Sequence, residues 1–180
     1  VAQHEELRQR IGGAQRQLIE LVKALPRERY AVTVIALSAS KVAYAPSLQQ
    51  LGIPLTLIPH SGTWSWRTLI ALIRALRRSR PDIVHTWLFT ASLYGRLAAW
   101  QARVPVAVTA VRSVETDKPR HYVLMDRWLR ALTHAYIVNA QAVGRTLAAR
   151  ERVNPSRIRT IYNGIDLERF DPARSDGLVR

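Results

Sequence analysis

Cysteine is absent from all 180 residues. That excludes a disulfide framework, thiolate metal ligation and a cysteine nucleophile, and it fits a reducing compartment. No apolar run approaches the ~18 residues that a membrane-spanning helix needs, and the opening segment lacks a signal-peptide pattern. There is no Walker A loop, no G-x-S-x-G elbow and no paired-histidine zinc spacing. His4, His60, His85, His121 and His134 are scattered along the chain, so no metal site is expected. Acids are scarce as well. From Arg29 to Glu115 the only acids are Asp82 and Glu115 itself, against Lys41, Arg67, Arg74, Arg77, Arg78, Arg80, Arg96, Arg103 and Arg112. With a net charge of +14, that stretch should attract a polyanion such as anionic lipid, nucleic acid or a phosphorylated substrate. An alternative is soluble helices that carry Arg wherever Lys or Glu would also serve.

What is present is a regular alternation. A hydrophobic content of 48% places the chain with globular domains, and its length suits one domain with a real core. Helical periodicity runs over Gly13–Leu25, Val42–Leu51, Trp66–Arg80, Ala91–Arg103, Tyr122–Leu132 and Ala142–Val153. Between these lie strand-like runs at Tyr30–Leu37, Ile53–Ile58, Asp82–Thr86, Val104–Val111, Ala135–Val138 and Ile158–Ile161. Strands alternating with helices imply βαβ units, hence an α/β fold with a Rossmann-like, doubly wound, mostly parallel sheet. Residues 112–121 form one irregular polar loop.

In such a sheet, ligands bind outside the carboxyl ends of the strands. Gly12 and Gly13 open a helix whose free N–H groups and dipole favour an anion, although two glycines also suit a plain tight turn. His85 and Thr86 fall at a strand end, where an imidazole can hydrogen-bond a sugar hydroxyl or a phosphate; His85 is the candidate catalytic residue. Arg112 ends the next strand, and its guanidinium fork suits a phosphate or carboxylate, or else pairs with Glu115 or Asp117. Asn139 ends another strand and either contacts substrate or caps the following helix. Around Trp66–Arg80, Leu69, Leu72, Ile73 and Leu76 lie opposite Arg67, Arg74 and Arg78, with Trp64 and Trp66 at the start. This is the composition of a membrane-surface element and equally of a cross-over helix covering a sheet.

Two segments carry a resemblance: Gly12-Gly13-Ala14-Gln15-Arg16 with its following helix, and Ile161-Tyr162-Asn163-Gly164-Ile165-Asp166 through Pro172. Together with the stretch from Thr86-Trp87-Leu88 to Leu97-Ala98, they resemble the N-terminal, acceptor-side domain of family 4 glycosyltransferases of the GT-B fold. The resemblance implies that Gly12, Gly13 and Arg112 line the cleft near the donor diphosphate. It also implies that His85, Trp87 and Thr90 face the acceptor. A nucleotide-sugar would be the donor substrate, a cell-envelope glycan or lipid-linked molecule the acceptor, and no metal or other cofactor would be needed. The chain would then act in the cytoplasm or on the inner face of the plasma membrane.

Within this frame, residues 12–162 are expected to be the acceptor domain and residues 163–180 the start of an interdomain linker, with the donor domain and its Glu-x7-Glu pair absent. Residues 1–11 are an atypical opening. Val1–Arg10 is polar where the family pattern places an apolar first strand, so a missing strand and an inactive, unstable fragment are expected. Two other classes stay open: a non-catalytic basic module for lipid or nucleic acid, and one half of a GT-B-related sugar-nucleotide epimerase.

Overall fold

The structure, a computed structural model, describes residues 12–38, 42–60, 64–113 and 119–164. Helix α1 (Gly13–Ala24) starts where Gln15 reaches back to accept from the Gly12 N–H at 2.9 Å, and it stops just before Pro26. Strand β1 (Val34–Leu37) begins later than its apolar run suggests, because the N–H groups of Arg29 and Tyr30 both turn back to the Pro26 carbonyl. Helix α2 (Ala45–Gln50), shortened by Pro46 in its first turn, leads through Gly52 at φ +64° into β2 (Leu55–Ile58).

Helix α3 (Trp66–Ser79) is capped by the Ser65 hydroxyl, which accepts from the Thr68 N–H. It ends at a left-handed Arg80 before Pro81. Then follow β3 (Ile83–Trp87), α4 (Phe89–Ala102), β4 (Val106–Val111), α5 (Arg120–Leu129), β5 (Ala135–Val138), α6 (Gln141–Glu151) and β6 (Ile158–Thr160).

Every ladder is parallel. One sheet has the order β3-β4-β5-β6, with Ile83 opposite Val106, Val108 opposite Ala135 and Tyr136 opposite Ile158. The other, among the described residues, pairs β1 with β2, with Val34 opposite Leu55. The α/β class and the parallel sheet expected from the sequence are therefore present. Among the described residues no ladder joins β1 to β3. The atypical residues 1–11, most of the loop after Arg112, and the linker beyond Gly164 lie outside the described residues.

The apolar face of α3 is buried as a cross-over helix requires. Leu72 and Leu76 pack with Ile58, Tyr94, Ala98, Ala99 and Ala107, while Arg67, Arg74 and Arg78 stay exposed. A second cluster joins Val22 of α1 to Val34, Ala36, Tyr44, Leu48 and Ile53. A third joins Tyr136 and Val138 to Val143 and Leu147 of α6.

One arginine of the basic stretch departs from its expected role as a polyanion contact. Arg96 of α4 is only 1% exposed; it forms an ion pair with Asp126 of α5, and its Nε donates to the Ser92 carbonyl at 2.9 Å. A guanidinium this deep needs its carboxylate, so the pair clamps α5 onto α4 and offers nothing to an outside anion.

Candidate functional site

The carboxyl ends of β3, β4, β5 and β6 converge on one edge. Arg112 follows β4, and its guanidinium lies over the Trp87 ring at 5.0 Å from the centroid. Its Nη2 donates to Asn163 Oδ1 beyond β6, and its own carbonyl accepts from Asn139 Nδ2 at 3.0 Å beyond β5. Three strand ends thus hold one cation in place by stacking, a side-chain hydrogen bond and a backbone hydrogen bond. Burial pulls the Arg112 pKa down from its usual value, which marks a partly desolvated charge.

Asn139 is not the cap of α6 that its position suggests. Ala140 occupies the N-cap, and the Asn139 amide is committed to the Arg112 carbonyl. Among the described residues positive φ is found at Gly52, Arg80, Leu88, Arg103 and Arg152.

The first turns of α1 reach the same edge. Gln17 Nε2 donates to the Gly164 carbonyl at 2.8 Å, and the Gly164 N–H donates to Gln17 Oε1 at 3.1 Å. Gly12 and Gly13 are exposed at this helix start, and no described atom crowds a Cβ at Gly13.

His85 stands beside Trp87 with ring centroids 5.0 Å apart. Burial first, and then the charge of Arg112, lowers its pKa from 6.5 to about 4. The imidazole is therefore neutral at neutral pH, suited to exchanging hydrogen bonds with a hydroxyl and poorly suited to abstracting a proton. Its Nε2 is buried without a partner among the described residues, as are Trp87 Nε1, Asn139 Oδ1 and both ring nitrogens of His60. Such groups are rarely left orphaned in folded proteins.

Thr86 is placed otherwise than its strand-end position suggests. It is 5% exposed, and its hydroxyl lies 3.0 Å from that of Thr109 within the sheet. Alternation along β3 turns it inward while His85 and Trp87 point the other way. Thr90, in the first turn of α4, lines both the cavity beside His85 and a second, aromatic cavity with Trp64, Phe89, Tyr122 and Met125. Trp64 stacks on Tyr94 at 5.1 Å. Leu88, the N-cap of α4, has φ 67° and ψ 159°, a region that is costly for a side-chain-bearing residue and is found at ligand-binding turns.

Sequence reasoning missed Gln17, His60 and the side-chain role of Asn163. Only the last carried a signal, as part of the quoted C-terminal run. Among the described residues no three His, Asp or Glu side chains gather to hold a metal ion, and no helix is long and apolar enough to cross a membrane.

The fold is similar to that of solved proteins. Anabaena HepE in complex with UDP aligns with a TM-score of 0.72 at 18% identity, over 88% of this chain and 43% of that one. A glycosyltransferase from Rickettsia africae aligns with a TM-score of 0.63 at 19% identity, over 92% of this chain and 43% of that one. In sequence the chain is 28% identical over 182 residues to the Escherichia coli UDP-Gal:alpha-D-GlcNAc-diphosphoundecaprenol alpha-1,3-galactosyltransferase, covering 97% of this chain and 47% of that enzyme. The chain thus spans about half the length of these relatives. Because residues 11–169, nearly all of the chain, match the model for Glycosyltransferase Family 4, it belongs to that family.

Proposed function

We propose that this domain is the acceptor-side half of an enzyme that transfers a hexose from a nucleoside-diphosphate sugar to a lipid-linked glycan. The observation that carries the reading is Arg112, stacked on Trp87 and bonded to Asn163, with the amino end of α1 tied to the same edge through Gln17 and Gly164. A fixed guanidinium and a helix N-terminus on one cleft favour a diphosphate. His85, Trp87 and Asn139 offer buried, unsatisfied polar atoms that the hydroxyls of a sugar would pair. The UDP-bound Anabaena structure and the diphosphoundecaprenol-linked acceptor named for the E. coli relative fit this assignment of ends. The resemblance assigns the chemistry no metal ion and no other cofactor.

Trp66, at 63% exposure, and Leu124 and Trp128 of α5, the latter at 78%, give the domain an exposed apolar rim. Trp64 shares the aromatic cavity with Tyr122 and Met125, which brings the two helices to one side. With Arg67 and Arg120 nearby in sequence, this rim suits an anionic bilayer carrying a lipid-linked acceptor, peripheral on the inner face of the membrane.

The test is transfer from UDP-hexose to a polyprenyl-diphosphate-linked sugar by the whole enzyme. Arg112→Ala should lower kcat/KM by about 10- to 100-fold, the worth of one or two charge-assisted hydrogen bonds, and Arg112→Lys should restore little of it. A folded Arg112→Ala enzyme with unchanged transfer would refute the assignment. Flotation with anionic vesicles, set against salt-dependent DNA binding, separates the membrane rim from a nucleic-acid face.

A further inference from the structure

Trp64, Phe89 and Tyr122 wall a cavity of about 450 Å³ whose occupant the sugar-transfer reading does not name. Phe89 and Leu93 come from α4, Tyr122 and Met125 from α5, and Trp64 from the segment entering α3. Its size is that of a small-molecule pocket, and its walls are mostly aromatic and thioether surface. The polar side-chain atoms available are the Thr90 and Tyr122 hydroxyls, the His121 imidazole and the Trp64 indole N–H. Among the described residues no Arg, Asp, Glu, Asn or Gln lines it. A saccharide needs a partner for each buried hydroxyl, so this lining favours an apolar guest.

The walls are held before any ligand arrives. Trp64 is 51% exposed, yet its ring stacks on Tyr94 with the planes 18° apart. Tyr94 is itself buried, and its hydroxyl accepts from the N–H of Ser65, the residue after Trp64. Phe89 and Tyr122 meet at 4.6 Å between ring centroids, and His121 lies against Tyr122 at 4.2 Å. A half-exposed indole fixed in this way offers its face at little cost in side-chain entropy. The cavity also has a polar neighbour. Phe89 and Thr90 line it and equally line the cavity that contains His60 and His85. There both His60 ring nitrogens and His85 Nε2 are buried without partners among the described residues. The first turn of α4 therefore stands between an aromatic pocket and one with hydrogen-bonding groups to spare.

We propose that the aromatic cavity seats the isoprene units next to the diphosphate of a polyprenyl-linked acceptor, while the acceptor's sugar hydroxyls meet His60 and His85 across the first turn of α4. The proposal rests on the sugar-transfer reading and gives the lipid tail a place within it. A molecule with an apolar end and a hydroxyl-bearing end matches two cavities that share Phe89 and Thr90. Its charged linkage then crosses the start of α4, where the helix dipole favours negative charge. The geometry also favours an isoprenoid over an acyl chain. A double bond in every isoprene unit leaves fewer free rotors than a saturated chain of equal length, so ordering it costs less entropy. Methyl branches and flat alkene faces fill a space walled by rings and the Met125 thioether more closely than a thin acyl chain does. Trp128, one helical turn after Met125, is exposed, so apolar surface continues outward for the rest of the tail.

The test uses the whole enzyme without membranes and acceptors that share one sugar diphosphate but end in farnesyl, dodecyl or phenyl. The farnesyl acceptor should have the lowest KM. Trp64→Ala should raise that KM by about tenfold or more and the KM for the phenyl acceptor by about twofold at most, with little change in kcat. Met125→Gln keeps the volume, adds an amide and should act in the same direction; it replaces Trp64→Ala if that variant does not fold. An unchanged KM for the farnesyl acceptor, or an equal rise for farnesyl and phenyl, would overturn the proposal. So would a dodecyl acceptor that binds as tightly as the farnesyl one, since the cavity would then take acyl chains. A second readout separates the proposal from the reading beneath it. Farnesyl diphosphate alone should quench tryptophan fluorescence, less so in Trp64→Phe, and pyrophosphate should not. Quenching without transfer to any acceptor would remove the sugar-transfer reading alone, whereas absent quenching, or quenching unaltered in Trp64→Phe, would overturn the assignment of the cavity.

Discussion

The two sheets of this domain meet the same requirement, burial of parallel strands, with different completeness. In the β3–β6 half each strand has a hydrogen-bonded neighbour. Its helices are locked by the Arg96–Asp126 pair and by Arg127 and Arg130, which donate to the Arg150 and Arg152 carbonyls. In the β1–β2 half, among the described residues, one ladder and one small cluster around Leu48 and Val22 carry the order. The residues proposed to hold substrate sit almost wholly on the first half. A site needs rigid support, and here the support lies where the ladder is continuous.

Breaking the stronger half should have the largest effect. Asp126→Ala leaves a guanidinium buried without its carboxylate and should cost about 3–5 kcal/mol in denaturant unfolding. Replacing both members, Arg96→Met with Asp126→Leu, should recover most of that loss. Equal costs for the single and double variants would mean that the pair does not act as a unit.

In the weaker half, Leu48→Ala removes a side chain with 0% exposure and should cost roughly 2–4 kcal/mol. Amide exchange should then quicken across α1, β1 and β2 before β3–β6, because among the described residues no ladder joins the two sheets. Uniform quickening would show one cooperative unit and undo the comparison.

His85 borders both regions, and its titration sharpens the contrast. Its folded-state pKa of about 4 lies below the 6.5 of an exposed imidazole, so the unfolded chain binds more protons between those values. Its contribution to stability is intact above about pH 6.5 and falls as pH drops toward 4, by up to roughly 3 kcal/mol. His85→Asn should flatten that slope in denaturation midpoints measured across the window; an unchanged slope would place the pH dependence elsewhere.

The smallest effect concerns a close approach inside the stronger half. A Cβ at Gly95 would press on Thr86 Cγ2, so Gly95→Ala should cost about 1–3 kcal/mol. Adding Thr86→Ser, which deletes that methyl, should return part of it; no recovery would locate the strain away from this contact.

Much of the architecture was legible because it is periodic. The spacing of Leu69, Leu72 and Leu76 specified the buried stripe of α3, and the β-branched run from Val104 to Val111 specified a strand. The ends were less legible. Leu88 and Arg103 take left-handed backbone at the two ends of α4, where no glycine or asparagine marks the turn. The strand-end rule pointed to His85 and Arg112 from position, and the family resemblance pointed to Trp87. The same rule also named Thr86, because position along a strand fixes a face only once the neighbours are known.

By itself, the sequence determined the alternation of strands and helices, the two terminal segments that carry the family resemblance, and the polarity of Val1–Arg10, since each is a property of nearby residues. Only the tertiary structure decided that Arg96 is buried with Asp126, thirty positions away, and that Arg112 is gripped by Trp87 and Asn163. Such pairings are made by chain segments far apart in sequence, and no local pattern records which distant partner will satisfy a buried charge or an open strand edge.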